Sequence, residues 1–487
     1  MNSKLRIVLG AALIIVAVMA VNTVRLASRQ IEVDEIAPVT IDADAAARRL
    51  AQALRFPSVS DQFATAIDET AFDGLVEYLA TAYPEAHRTL ARERIGSNSF
   101  LYFWPGTDPD LDPILLMAHL DVVPVAAEEA DAWSYPPFAG RIADGYVWGR
   151  GAIDDKACVV ALLEATESLL ADGYHPSRGV YLAFGHDEEI GGQNGARQIA
   201  SLMASRGVRL EFVLDEGFFV TQGLLAGIDK PVALIGVAEK GIVSVSLTVA
   251  APPGHSAVPP RHTAIGILAS ALVRLEDRPL AARIDGVAGE MLAWLAPEMP
   301  LPQRIVSSNL WMFGPLVKAR MAASPTTDAA IRTSTATTMI AGGVKENVLP
   351  SHARAVVNFR IRPGDRIADV MEHIRRVVDD DRVVVEVLPG LDSEPSPVSS
   401  TDSRAFDAIH TSIRRVFSGA VVAPALVVGA TDSRHFADLS DEIYRFLPIR
   451  LGPGDVARVH GVDERISVAN FAEAIRFYRE LVVMTTQ

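Results

Sequence analysis

The sequence predicts an α/β fold with two domains, the larger built on a mostly parallel central sheet. Short, fully apolar runs end in polar residues, as strands buried on both faces do: "PILLMAHLD", "GVYLAFGHDEE" and "LEFVLDEG". Apolar spacing typical of helices lies between them, for example in "KACVVALLEATESLLADG". Near residue 243 the pattern changes, because "VSVSLTVAAP" alternates in period two, as a strand with one exposed face does.

The second domain is predicted from the order of the patterns that follow. A helix ("TAIGILASALVRLED") precedes two strand-like runs ("RTSTATTMIA", "ARAVVNFRIR"), a further helix ("ADVMEHIRRVVDDD") and a last strand ("VVVEVLP"). This β-α-β-β-α-β order is ferredoxin-like. We therefore expect an α+β domain at 243–390, inserted between two parts of the larger domain at 45–242 and 391–487. The stretch 280–325, with Trp294 and Trp311, does not fit the order and is interpreted as an insertion.

Composition restricts the possible partners. The chain has 487 residues, of which 49% are hydrophobic, enough to bury a large core. Its net charge of −15 argues against a nucleic-acid partner and is compatible with bound cations. The single cysteine, Cys158, excludes an intramolecular disulfide and a cysteine-based zinc cluster.

The N-terminal segment, residues 1–30, is predicted to meet a membrane. No charged residue lies between Ile7 and Val24, a length at the lower end of what spans a bilayer. An uncleaved anchor, a cleaved signal peptide and a buried soluble helix all fit this pattern. The first would hold the rest of the protein on the membrane outside the cytoplasm, and the second would release it as a secreted protein. The acidic residues 30–45 that follow are interpreted as a tether.

Acidic residues and one histidine occupy equivalent positions at strand and helix ends. In an open α/β sheet, ligands bind beyond the carboxyl ends of the strands, so distant residues can share one crevice. Each residue alone has an ordinary explanation as a helix cap, a turn or a solvated loop. Together, so many buried carboxylates require neutralising cations, and carboxylates with imidazole suit zinc. The residues are His119, Asp121, Asp154, Glu188, Glu189 and Asp215.

Spacing suggests different roles for neighbouring residues. In an extended segment residues i and i+2 point to the same side, so Asp121 can orient a metal-binding His119. Glu188 and Glu189, if extended, point in opposite directions. One of them can then bind metal while the other acts as a base.

Six motifs carry a resemblance to a known family. In order they are "MAHLDVVP", "WGRGAIDDK", "DEEIGG", "LDEG", "GHSAVPP" and "ENVLP". Together they resemble the co-catalytic zinc aminoacylase/carboxypeptidase family, from about residue 45 to the C-terminus. The details "AIDDKACVVALLEA" and "RVHGVDERIS" are most similar to its carboxypeptidase S and N-fatty-acyl-amino-acid synthase/hydrolase branch.

The resemblance implies two zinc ions per subunit, with cobalt or manganese as alternatives. Glu188 would be the general acid/base, Asp121 would hold His119, and the Asp154–Asp155 peptide bond would be cis. A late histidine completes the site, and its motif favours His460 over His435, which would line the pocket. The implied metal ligands are His119, Asp154 (bridging), Glu189, Asp215 and His460.

The resemblance also implies a role for the inserted domain as a lid and a possible homodimer contact. His255 would stabilise the oxyanion, sometimes in the partner's site, and Asn347 and Arg360 would hold the substrate carboxylate. The expected reaction is hydrolysis of an amide next to a free carboxylate, in an N-acyl amino acid or a small peptide. A membrane-tethered binding protein without catalysis and a single-metal esterase remain alternatives. Trp294, Trp311 and Phe313 suggest a lipophilic acyl group, although such aromatics also occur as core residues.

Overall fold

The computed structural model describes residues 3–34, 39–63, 67–225, 227–390 and 392–487. Positions 35–38 of the predicted tether and position 391, where we expect the larger domain to resume, lie outside these ranges. The α-helices of the described residues are α1 (Ser3–Arg25), α2 (Ala43–Ala53), α3 (Glu69–Ala82), α4 (Pro84–Thr89), α5 (Lys156–Ala171), α6 (Ala196–Ser205), α7 (Ala264–Asp277), α8 (Gly286–Leu295), α9 (Leu301–Ser308), α10 (Leu310–Ala322), α11 (Pro325–Ile331), α12 (Ile367–Val378), α13 (Arg404–Val416) and α14 (Val468–Thr485). The strands are β1 (Ala91–Ile95), β2 (Ser99–Trp104), β3 (Ile114–His119), β4 (Arg141–Ala143), β5 (Tyr146–Trp148), β6 (Val180–Gly185), β7 (Val213–Thr221), β8 (Val232–Glu239), β9 (Gly241–Ala250), β10 (Gly254–His255), β11 (Ser334–Gly342), β12 (Val348–Leu349), β13 (His352–Ile361), β14 (Val383–Val387), β15 (Val421–Val427), β16 (Ile443–Leu451) and β17 (Arg465–Ser467).

The central sheet has helices on both faces. Within the described ranges its eight strands follow the order β1-β2-β6-β3-β7-β16-β8-β15. β3 pairs in parallel with β6 and β7, β7 with β16, and β8 with β15, while β1 and β2 form an antiparallel edge. Leu116 of β3 packs in the core that includes α5 and α14, and Leu115 packs in the core beneath α6. The predicted α/β class and mostly parallel sheet are confirmed.

A second sheet has the strand order β11-β13-β9-β14, with every pair antiparallel. Its elements follow the predicted order β9-α7-β11-β13-α12-β14. α7 and α12 share one apolar core with the sheet, in which Leu247, Leu268, Phe359 and Ile374 are buried. The strand alternation near residue 243 therefore arises as predicted, from a sheet covered on one face.

One helix of the insertion within this domain packs on the larger domain instead. Helix α8 lies against β15, and its Trp294 ring lies 5.4 Å from Phe406 in the main core. Trp311, on α10, is 57% exposed. Helix α8 thus leaves the smaller sheet for the main core, which the linear order of the patterns could not reveal.

Helix α1 is long and apolar enough to cross a membrane, and in the described ranges it is the one helix that meets this test. Most of its side chains are exposed, which is not how a buried core helix packs. The residues after it are bound to the central sheet, in contrast to the predicted tether. Gln30 donates to Val422 O (2.8 Å) and accepts from Val422 N–H (2.7 Å), at the free edge of β15. Ile31 N–H donates to His410 Nε2 (3.4 Å).

Candidate metal centre

The topology of the central sheet brings the predicted residues to one edge. β3 ends at His119 and β6 ends at Gly185, and these two residues are register partners in adjacent parallel strands. A 3-10 turn at Glu188–Ile190 follows β6, and Asp154 lies in the loop that begins α5. The Asp154–Asp155 peptide bond is cis. The shared strand direction therefore places one histidine and several acids in one crevice.

Asp154 lies between two histidines. Its Oδ1 is 2.9 Å from His119 Nε2, and its Oδ2 is 2.9 Å from His460 Nε2. Glu216 Oε1 lies 3.6 Å from His119 Nε2, and Glu189 Oε2 lies 3.3 Å from His460 Nε2. Two groups of three side chains, each with ligand atoms within 4.8 Å of one another, thus share the Asp154 carboxylate.

Glu216, and not the predicted Asp215, is the acid that the structure brings to His119. Asp215 instead accepts hydrogen bonds from Ser433 N–H (2.8 Å) and Glu216 N–H (3.0 Å). The reason is an irregularity in β7, whose pairing with β16 passes from Asp215 directly to Phe218. A bulge of this kind breaks the alternation of side chains and redirects one of them. The adjacent acid in "LDEG" was the available signal, but strand periodicity could not choose between the two.

Asp121 connects His119 to the acidic turn. Its carboxylate is fully buried and accepts from Glu188 N–H and Glu189 N–H, both at 3.2 Å. His119 Nδ1 lies 3.0 Å from Asp121 O. A carbonyl oxygen only accepts, so Nδ1 carries a proton, and Nε2 is the ring nitrogen that faces the Asp154 carboxylate. Asp121 therefore has the expected position, although the two glutamates form a turn and not an extended segment.

Burial and mutual repulsion dominate the electrostatics of the cluster. Burial first, and then the charge of Glu216, raises the pKa of Glu188 well above its usual range. Burial opposes charge on His119, yet its hydrogen bonds to Asp121 and Asp154 raise its pKa well above the ordinary value. Glu189 Oε1 is buried without a hydrogen-bond partner. Such an unpaired oxygen among crowded acids and imidazoles fits two divalent cations, whose charge would compensate for the repulsion.

A buried ion pair joins the two loops that carry Asp154 and His460. Glu464 Oε1 accepts from Ile153 N–H (2.7 Å) and Asp154 N–H (3.1 Å), and its Oε2 pairs with Arg150 Nη1 (2.6 Å). Arg150 Nη2 also donates to His460 O (3.0 Å), where the backbone is left-handed with φ of 59°. Glu464 was part of a quoted motif but had no predicted role. Its four-residue distance from His460 in "HGVDE" is the signal that was available.

His255 and Asn347 lie together at the tip of the smaller domain. β10 pairs with β12, and Ser256 N–H donates to Asn347 O (3.1 Å). His255 is exposed, and its Nδ1 accepts from Ala257 N–H (3.0 Å). Across the described part of the chain, no hydrogen bond or ion pair joins either residue to the cluster.

Arg360 and His435 both lie near Arg434. Burial first, and then the Arg434 guanidinium, lowers the pKa of Arg360. The same two causes lower the pKa of His435 to about 4, and its Nε2 lies 3.2 Å from Gly191 O beside the acidic turn. His435 and Arg434 line a cavity of about 360 Å³, which Lys240, at the junction of β8 and β9, also lines.

Comparison with known proteins shows which family the chain belongs to. The model of peptidase family M20/M25/M40 matches residues 115–484. The chain is 39% identical over 481 residues to the probable carboxypeptidase S-like 2 of Dictyostelium discoideum, covering 97% of this chain and 92% of that protein. It is 42% identical over 438 residues to the N-fatty-acyl-amino acid synthase/hydrolase PM20D1 of Xenopus tropicalis, covering 88% and 84%.

Among solved structures, the M20 family metallo-carboxypeptidase Sso-CP2 from Sulfolobus solfataricus shares the fold. The TM-score is 0.65 at 18% identity, and the match covers 91% of this chain and 99% of that one. The family model and the two relatives confirm the family predicted from the six motifs. The chain belongs to peptidase family M20/M25/M40 and is a hydrolase of the metallopeptidase and aminoacylase type.

Proposed function

We propose that the chain hydrolyses the amide bond of N-acyl amino acids, or the C-terminal bond of small peptides, at a centre of two zinc ions. The carrying observation is the Asp154 carboxylate, each oxygen of which faces one histidine at 2.9 Å. Only a bridging ligand needs this arrangement, since a helix cap or a single ion pair uses one partner. Cobalt or manganese are alternative metals, because the same donors also bind them.

The described residues supply two sets of ligands. When bound, the two cations would lower the pKa of a water molecule and polarise the substrate carbonyl group. Glu464 and Asp121 would hold the ligand loops in place from behind. One set is His119, Asp154 and Glu216, and the other is Asp154, Glu189 and His460.

Glu188 is the proposed general base and acid. It is not part of either ligand set, and Asp121 fixes the turn that carries it. Its carboxylate would accept a proton from the attacking water and return it to the leaving amine nitrogen, so that one proton is moved for each amide cleaved. Its raised pKa agrees with a group that changes protonation during the reaction.

The substrate carboxylate is proposed to bind between the two domains. Arg360 of the smaller sheet lies close enough to Arg434 for the two cations to repel each other, and a carboxylate would relieve this repulsion. His435 lines the adjacent cavity. His255 and Asn347, at the tip of the domain 243–390, would reach the oxyanion and the carboxylate by lid closure or from the partner of a homodimer. The exposed edge strand β11, with Ile340 64% exposed, supports a dimer through this domain.

Both the acyl group of the substrate and the location of the protein are part of the proposed function. One relative is named for fatty-acyl amino acids and another for carboxypeptidase activity, which supports both substrate classes for this chain. Trp294 is buried in the core and is not available to line an acyl pocket. We propose that α1 spans a membrane and holds the catalytic domain outside the cytoplasm, with cleavage after α1 giving a secreted protein. A nucleic-acid partner is still not expected.

The test is a substrate screen with the full chain in detergent and added zinc. Acetyl and long-chain acyl amino acids and dipeptides would be compared for the wild type, Glu188→Gln and the exposed-acid control Glu129→Gln. We expect Glu188→Gln to lose about 10²–10⁴-fold in turnover while its metal content is unchanged. Equal turnover in Glu188→Gln and the control would exclude the role of Glu188. Full activity at one metal equivalent would indicate the single-metal esterase, and binding without turnover of any substrate would indicate the binding protein.

A further inference from the structure

We propose that helix α10 lies in the outer interface of the lipid bilayer beside α1, so that the protein meets the membrane through a surface and not only through one spanning helix. The proposal deepens the membrane anchoring described above and rests on α1 spanning a bilayer. Its basis is an unpartnered apolar helix that is bonded to the end of the candidate spanning helix.

Helix α10 is apolar but packs into no core. Its sequence is "LWMFGPLVKARMA", and none of its residues is buried. Trp311 is 57% exposed and Leu316 is 62% exposed. Exposing a large apolar side chain to water forgoes about 1.5–3 kcal/mol of burial free energy. Large apolar side chains exposed together on one helix indicate a contact with a partner or a membrane.

Helix α1 indicates which of these covers α10. At the junction of α9 and α10, Asn309 is fully buried and donates to Met19 O (3.3 Å). Asn22 donates to Asn309 Oδ1 (3.0 Å), and Thr23 bonds Ser308 (2.9 Å). Met19 precedes the end of α1 by six residues, about 9 Å along the helix. If α1 spans the bilayer, α10 therefore begins at the level of the lipid headgroups and the outermost acyl carbons.

The side chains of α10 suit this depth. Trp311 donates its indole N–H to Asn309 Oδ1 (3.1 Å) while most of its ring is exposed. A tryptophan with a bonded N–H and an outward apolar ring is typical of membrane interfaces. Lys318 and Arg320 on the same helix are exposed and can extend to lipid phosphates.

The position of α10 relative to α1 is fixed by further contacts. Arg304 of α9 donates to Leu26 O, and Gln30 bonds both backbone groups of Val422. The chain just after α1 is therefore attached both to α9 and to the central sheet. With α1 in a membrane, this attachment keeps α10 at the membrane surface.

The experiment places a fluorophore at three positions of the full chain. Single variants Val16→Cys in α1, Leu316→Cys in α10 and Val344→Cys in the smaller domain would be labelled with an environment-sensitive dye. Cys158 is buried. Wild type treated with the same dye is therefore the control for background labelling. The labelled proteins would be reconstituted in phosphatidylcholine–phosphatidylglycerol vesicles, with quencher groups either deep in the acyl chains or near the headgroups.

We expect the Val16 label to be quenched by the deep group and the Leu316 label by the shallow group, by about twofold, with the 97%-exposed Val344 quenched by neither. Quenching at Val16 with a Leu316 label that behaves like Val344 would overturn the role of α10 and leave the anchoring intact. A Leu316 label that is blue-shifted but unquenched would show that a second copy covers α10, and would also overturn the proposal. No quenching at Val16 would refute the anchoring itself, while the hydrolase proposal is tested separately by the substrate screen.

Discussion

Replacing Glu464 by glutamine tests whether one buried ion pair holds both halves of the metal centre. The glutamine amide oxygen can still accept from Ile153 N–H and Asp154 N–H, as Glu464 Oε1 does. Its NH₂ group, however, then faces Arg150 Nη1, which lies 2.6 Å from Glu464 Oε2. Two donors would oppose each other, and the Arg150 guanidinium would lose its partner in a site where both side chains are almost fully buried.

The expected magnitude follows from this geometry. Breaking a buried ion pair by removing one charge costs about 3–5 kcal/mol of unfolding free energy. Arg150 also holds His460 O (3.0 Å), so its displacement would loosen His460 as well as Asp154. Loss of a group that orients metal ligands lowers metal affinity by about 10–100-fold. We expect Glu464→Gln to show both effects.

The assay is urea unfolding of the metal-free full chain in detergent, together with zinc titration against a competing chelator. Glu164→Gln is the matched control, because Glu164 is also buried and pairs with Arg49 (2.7 Å) and Tyr83 (2.8 Å), which lie outside the cluster. The control should lose about 1–3 kcal/mol of stability without a change in zinc affinity. If Glu464→Gln loses the expected stability but binds zinc as tightly as the wild type does, the ion pair stabilises the fold alone and does not hold the metal ligands.

Three further outcomes are expected. Glu216→Gln should bind one metal ion per chain where Asp215→Asn still binds two, measured by metal analysis after dialysis, because Glu216 faces His119 and Asp215 does not. Equal stoichiometry in both variants would contradict the assignment of Glu216 as a ligand. Chelation of the metal should abolish turnover and lower the melting temperature, with zinc restoring both, because the buried acids then repel without compensation. Burial, with some repulsion from Arg414, lowers the pKa of His410 from 6.5 to about 4. The unfolded chain therefore binds the extra proton in this range, and unfolding free energy should fall as the pH drops from 6.5 toward 4, by up to about 3 kcal/mol; a urea-midpoint profile that is no flatter in His410→Leu would refute this.

The helices and strands could be predicted where one buried face gives the sequence a clear hydrophobic period. The alternation of β9 and the spacing of α7 reflect a sheet covered on one face, and both were predicted from their sequences. The packing partner of α8 was not, because its apolar residues would suit either domain. Only the structure shows that Trp294 joins Phe406 in the main core while Trp311, in the same insertion, stays exposed.

In the candidate metal centre, too, some residues could be predicted from the sequence and others could not. Strand ends and motifs pointed to His119, Asp154, Glu189 and His460, which the structure brings together. Asp215 was predicted from its position after an apolar run and from the resemblance, and neither reveals the bulge, because a bulge is a tertiary feature of the pairing with β16. The role of Glu464 depends on backbone N–H groups more than 300 residues away in sequence, so its spacing from His460 could mark the residue but could not show what it binds.

The amide of Gln30 imitates the peptide group of a neighbouring strand at Val422, and so occupies part of the open border of the central sheet. Open borders of this kind recruit other chains and lead to aggregation. A secreted form cut between Arg25 and Gln30 would retain this contact, whereas a product shortened beyond Ile31 would lose it. If α1 is removed, the position of the cut relative to Gln30 therefore decides whether the product keeps this cover at Val422.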